Sequence, residues 1–220
     1  MAKSRYVTAL DEIQLAMTGL LKPLGFKNSG RAYNRVAEDE LVHIVGFQMG
    51  EYPIGQYVIP GIRESFYGRF TMNLGVMLPA VRDMEFAPSS KGFVQDYHCE
   101  IRSRLGSLGF AGEDVWWDLD YRVAETGAEI VNAMRQSGIP FLDRFSSYRA
   151  VLSTLEKDGA LPSKNPGRSA LVGALICHKL GKPDESCTWF ERAIEYAVSL
   201  TRPNKGFEAH VAKLREKCGL

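Results

Sequence analysis

Long apolar runs are missing from this chain of 220 residues. No window approaches the roughly 20 apolar residues that span a bilayer, and Asp11, Glu12 and Gln14 interrupt MAKSRYVTALDEIQLAMTGLL where a secretion signal needs its hydrophobic region. A membrane location is not expected. Cysteine is scarce: Cys99, Cys177, Cys187 and Cys218 are irregularly spaced and form no CxxC pair, which argues against a secreted disulfide framework and for a reduced cytoplasm. Excess charge is lacking too, with 27 Lys plus Arg against 26 Asp plus Glu. The long-range field therefore attracts neither a nucleic-acid backbone nor an anionic membrane; nucleic-acid binding is disfavoured, and anion recognition must come from a local cluster. Also absent are a GxxxxGK[ST] phosphate loop, GxGxxG, GxSxG and HExxH, which disfavours the major motif-bearing enzyme classes. His98-Cys99 and Cys177-His178 are adjacent pairs whose members point in different directions, so neither makes a zinc half-site, and no metal or cofactor is expected.

What is present reads as a globular α+β protein, with 45% hydrophobic residues to build a core. Leu10, Ile13, Met17, Leu20, Leu21 and Leu24 recur at three- and four-residue steps, predicting an N-terminal amphipathic helix that covers a sheet and stops at Gly25. Strand-like segments follow at 30–36, 40–49, 69–77 and 97–105, the first two joined as an antiparallel hairpin turning near Ala37 to Asp39. Residues 50–68 read as a long loop, and FAGEDVWWDLD at 110–120 closes this half, with one of Trp116 and Trp117 facing inward and the other outward. Beyond Tyr121 the spacing turns helical: one helix ended by Gly138 and Pro140, another through Phe141 to Leu155, a turn at 161–169, and helices at about 169–180, 185–200 and toward Cys218. The expected organisation is an α+β antiparallel-sheet domain at 1–121 followed by an all-helical region at 122–220 packed on it.

In an extended 97–105 segment, side chains alternate between faces. His98, Glu100, Arg102 and Arg104 then share one face, with Cys99, Ile101, Ser103 and Leu105 on the other. Strand 70–76 sorts Phe70, Met72, Leu74 and Val76 inward and Thr71, Asn73 and Gly75 outward, so Asn73 joins the polar face, with Gln48 and Arg35 as further candidates. Two guanidinium forks suit a carboxylate or phosphate, and His98 can move a proton near neutral pH with Glu100 orienting it. The plainer alternative is a solvated salt-bridge ladder. Glu113, Asp114, Asp118 and Asp120 offer a weaker oxygen set for Mg²⁺.

LKPLGFKNSGRAYNR (21–35), VGFQMG (45–50), FTMNLGV (70–76), HCEIRSRLG (98–106) and WWDL (116–119), taken in this order, resemble the bacterial domain-of-unknown-function 4304 family over roughly residues 5–145. The family name implies no activity. Leu180-Gly181, Ser186, Phe190 and Ala193 match the tetratricopeptide pattern at several offsets within 170–200. Only one unit is visible, and a solenoid needs about three, so a hairpin packed on its neighbours is expected.

Three functions fit these residues. A non-catalytic binding or interaction protein, of an accessory or immunity type, would use the sheet face and the aromatic 50–68 loop (Tyr52, Tyr57, Phe66, Tyr67) to contact a protein partner. An enzyme or sensor for a small anionic or nucleotide-like ligand would clamp it with Arg102 and Arg104 and use His98 as acid or base. A metal-dependent nuclease would need Glu100, Asp118 and Asp120 close together. The lack of a complete catalytic set favours the first.

Overall fold

The computed structural model describes residues 4–51, 65–86, 92–110 and 112–220. Most of the 50–68 loop, including Tyr52 and Tyr57, lies outside them. Helix α1 (Arg5–Leu21) starts where the Ser4 side chain accepts a hydrogen bond from the Val7 N–H. It buries Tyr6, Ala9, Leu10, Ile13, Met17 and Leu21, the periodic stripe of the sequence. A 3₁₀ turn over Lys22–Leu24 tightens its end, and Gly25 at φ +86° closes it in the left-handed region that glycine enters without strain.

Among the described residues six antiparallel strands form one sheet: β1 (Lys27–Ser29), β2 (Ala32–Val36), β3 (Val42–Met49), β4 (Arg69–Met77), β5 (Ile101–Arg104) and β6 (Trp117–Asp118). They run in the order β1-β2-β3-β4-β5, with β6 pairing the start of β4. The β2–β3 connection turns through Asp39 and Glu40, both at positive φ. Tyr33, Val45, Leu74 and Val76, with Phe70 and Met72, lie on the sheet face that α1 helps to cover, and all are fully or almost fully buried.

The second face carries a strap, residues 92–99, in place of a helix. Asn34 clasps it by both amide groups, donating to the Val94 carbonyl and accepting from the Val94 N–H at 2.9 and 2.7 Å. Cys99 settles with Ile44 and Met77 into a small apolar cluster. Gly75 makes the approach possible: a Cβ there would lie 2.6 Å from Cys99 Sγ. The strap also corrects the expected strand 97–105. Asp96–His98 is a 3₁₀ turn, and only Ile101–Arg104 pairs with β4.

The short helices α2 (Pro79–Glu85) and α3 (Leu105–Gly109) belong to the first half. The second contains α4 (Val123–Ala133), α5 (Ile139–Asp143), α6 (Tyr148–Asp158), α7 (Pro166–Lys179), α8 (Pro183–Ser199) and α9 (Lys205–Lys217). Gly138 and Pro140 do not end a helix as expected. A π-helical turn over Met134–Gly138 carries α4 into α5, and this widened turn accommodates the missing N–H and bulky ring of Pro140. One continuous apolar core runs from Tyr6 to Leu214, drawing on residues either side of position 121, and α1 packs directly on α4. Helices α7 and α8 form a hairpin turned by Gly181 and pressed together where Gly173 leaves room for Trp189 and Leu155.

Candidate functional site

Strand register assembles part of the expected polar face. Asn73 stands opposite Gly46 on β3 and Arg104 on β5, while Gly75 stands opposite Ile44 and Arg102. Paired residues share a face, so Asn73, Arg102 and Arg104 project together on the strap side. They border a cavity of about 350 Å³. Asp96 of the strap, Ser103, Ser107 of α3, and Pro162 and Ser163 of the turn between α6 and α7 complete its walls.

Each arginine is steered by a carboxylate. Arg102 Nη2 donates to Asp96 Oδ2 at 2.9 Å, and Arg104 Nη1 donates to Asp114. Arg104 also lies over the ring of half-buried Trp116, which stacks on Phe66 with centroids 4.4 Å apart. These contacts fix the guanidinium planes, and each fork has five N–H donors, so donors remain for a ligand. Asn73 donates to Gln48 Oε1 at 3.0 Å, which orients its amide, and Gln48 supports the site from beside the cavity. Among the described wall residues Asp96 is the only carboxylate; two guanidiniums, an amide and the hydroxyls of Ser107 and Ser163 are the other side-chain polar groups on the strap side. Donors outnumber obligate acceptors, which suits an acceptor-rich ligand.

Three of the expected residues lie elsewhere. Arg35 pairs in register with His43, opposite Val76, and therefore occupies the α1 side of the sheet. There it donates to His43 Nδ1 at 2.9 Å and pairs with Asp143 of α5. His98 turns back into its own 3₁₀ turn, where Nδ1 accepts from the Gln95 N–H at 3.3 Å and the ring packs on Tyr97. Partial burial and the nearby Arg82 lower its pKa. Glu100 is neither a surface ladder rung nor a cavity residue. It is 5% exposed and accepts from the Leu78 N–H at 2.7 Å, at the start of α2, where Tyr148 Oη accepts from the Ala80 N–H. Burial pushes its carboxyl up to about 7, against the opposing effect of that hydrogen bond. Lys164, beside the cavity turn, is lowered by burial and by Arg168.

Asp118, Asp120 and Asp114 are occupied separately. Asp118 Oδ1 accepts from the Asp120 N–H, Asp120 pairs with Arg5, and Asp114 with Arg104. Among the described residues no group of three or more His, Cys, Asp or Glu is arranged to hold a metal. None of the described helices is long and apolar enough to cross a membrane. Sequence reasoning missed Asp96, Ser107 and Ser163. Asp96 was the most accessible to it, being adjacent to the quoted strand, but only the strap's reversal turns it toward Arg102.

The fold and cavity together define an α+β domain with helices against one sheet face and an arginine-lined hollow beside a strap on the other. Residues 17–144, more than half of the chain, match the family model described as domain of unknown function (DUF4304), and the chain belongs to that family. No curated protein and no solved structure matches it.

Proposed function

We propose that this protein binds a small molecule through a phosphate or carboxylate group held by Arg102, Arg104 and Asn73, and that it acts by recognition rather than catalysis. The observation that supports this reading is the shared cavity of about 350 Å³, in which guanidinium, amide and hydroxyl donors from three parts of the chain converge. Such a volume falls within the range of small-molecule sites. A non-catalytic role is favoured because His98, the expected acid or base, and Glu100, expected to orient it, are both committed to backbone N–H groups away from the cavity walls.

Isothermal titration with inorganic phosphate, citrate and phosphate esters tests it. Saturable binding is expected, weakening with added salt. Arg102→Ala or Arg104→Ala should weaken it roughly ten- to hundredfold, the loss of a charge-assisted hydrogen bond. Absence of saturable binding by any of these anions would remove the reading.

A protein partner, in an accessory or immunity-type role, is a second reading. It draws on Phe86 and Tyr97, exposed at 55% and 67% on the strap and α2 side. Phe66 and Tyr67 contribute less because they pack on Trp116 and Tyr6. Cross-linking from an aromatic photoprobe placed at Tyr97 would have to yield one reproducible partner for this reading to stand.

A further inference from the structure

Resting on the oxyanion reading, we infer that the ligand is a phosphate ester with a hydroxylated body, and that Ser163, from outside the family-matched segment, contacts that body and decides which esters fit. The family match ends at residue 144. Every cavity residue from Asn73 to Ser107 lies inside it, whereas Pro162 and Ser163 come from the later α6–α7 turn. The anion-binding wall thus belongs to the family domain, and the opposite lip belongs to the helical half.

That lip is a built turn. Leu161 is buried, and its N–H donates to the buried Ser169 hydroxyl at 2.9 Å. The Lys164 N–H returns to the Leu161 carbonyl at 3.1 Å, closing the turn around Pro162 and Ser163. Asn165 then caps α7 by accepting from the Arg168 N–H at 2.8 Å. Within this frame Ser163 holds φ +60°, a conformation L residues rarely adopt and glycine adopts freely. A strained serine at the edge of a donor-rich cavity fits a use for its side chain.

The ester class follows from the distribution of groups. Arg102, Arg104 and Asn73 supply donors for an anionic head on the sheet side. Ser107 and Ser163 carry hydroxyls that both donate and accept, and Asp96 has an oxygen beyond the one given to Arg102. These are partners for ligand hydroxyls. The cavity volume also exceeds what a bare phosphate fills.

Calorimetry with glycerol 3-phosphate, inorganic phosphate and glycerol separates head from body. The wild type should bind glycerol 3-phosphate at least threefold more tightly than phosphate. Ser163→Gly, which relieves the backbone and removes the hydroxyl, should keep or raise Tm and weaken glycerol 3-phosphate roughly three- to tenfold, the size of one neutral hydrogen bond, while leaving phosphate unchanged. Ser163→Asn, which tolerates the same φ but fills space, should weaken the ester more than phosphate. Arg102→Ala should weaken both ligands. Equal binding of ester and phosphate, unchanged by both Ser163 variants, would overturn the role of the turn and leave the oxyanion site standing. Binding of citrate without either phosphate would overturn the ester class, and no binding of any anion would overturn the site itself.

Discussion

Glu100 and His43 are both buried titratable residues, and their folded states respond to pH in opposite directions. Glu100 ionises near 4.5 in an unfolded chain and at about 7 in the folded one. The folded state therefore holds the extra proton between those values, and stability falls as pH rises from about 4.5 to 7, by about 3 kcal/mol. Glu100→Gln keeps an oxygen for the Leu78 N–H and removes the charge. Urea unfolding at pH 5 and pH 8 should show this variant more stable than wild type at pH 8 and nearly equal at pH 5; equal stability at both would show that the carboxyl is not held in a desolvated state. His43 is fully buried, with Nε2 on the Phe145 carbonyl and Nδ1 facing Arg35. Burial, and then Arg35, lower its pKa. The unfolded chain accepts a proton near pH 6.5 that the folded site refuses, so stability falls as pH drops below about 6.5 until the folded imidazole itself protonates. His43→Gln should flatten that acid limb, measured by the same unfolding series. Neither residue's role was legible in the sequence: Glu100 reads as one charge of an alternating face, and nothing local marks His43 as the bridge from the sheet to the turn after α5.

At the scale of elements, the strap is what makes the site. Without it the second sheet face would be an open apolar and polar surface; with it, Ile44 and Met77 are covered and Asp96 meets Arg102. Gly75 is the test of that arrangement. Gly75→Ala would drive a methyl group to 2.6 Å from Cys99 Sγ and should cost about 1–3 kcal/mol in chemical denaturation, as overpacking does elsewhere. Adding Cys99→Ala should recover part of the loss, and a single-variant loss below about 0.5 kcal/mol would show that the strap is not pressed on the strand. Alternation correctly placed Phe70, Met72, Leu74 and Val76 in the core and Asn73 with Arg102 and Arg104 outside it. It failed at 97–100 because period-two reasoning assumes a strand, and the chain there closes a 3₁₀ turn. It also sent Arg35 to the wrong face, since that assignment depends on β2–β3 register, which no single strand reveals.

Across the whole molecule, the last helix is tied to the first half by polar contacts as well as by Val211 and Leu214. Glu85 of α2, whose side chain is 3% exposed, receives Arg168 of α7 at 2.9 Å and His210 of α9 at 3.1 Å, and Lys217 donates to the Met84 carbonyl. Glu85→Ala should destabilise the protein by about 1–3 kcal/mol, less than a fully buried pair because Arg168 keeps some solvent. Amide exchange should then rise in α9 before α7, and uniform exchange would show that α9 is not a separately anchored element. By itself the sequence determined the α+β class, the glycine-terminated first helix, the buried stripe of β4 and the family likeness, because each rests on short-range periodicity, a local stop signal or motif order. Only the tertiary structure decided the cavity. Asn73, Asp96, Arg102, Arg104 and Ser163 lie on strands, a strap and a distant turn, and their meeting depends on register, reversal and packing, which are properties of the assembled core.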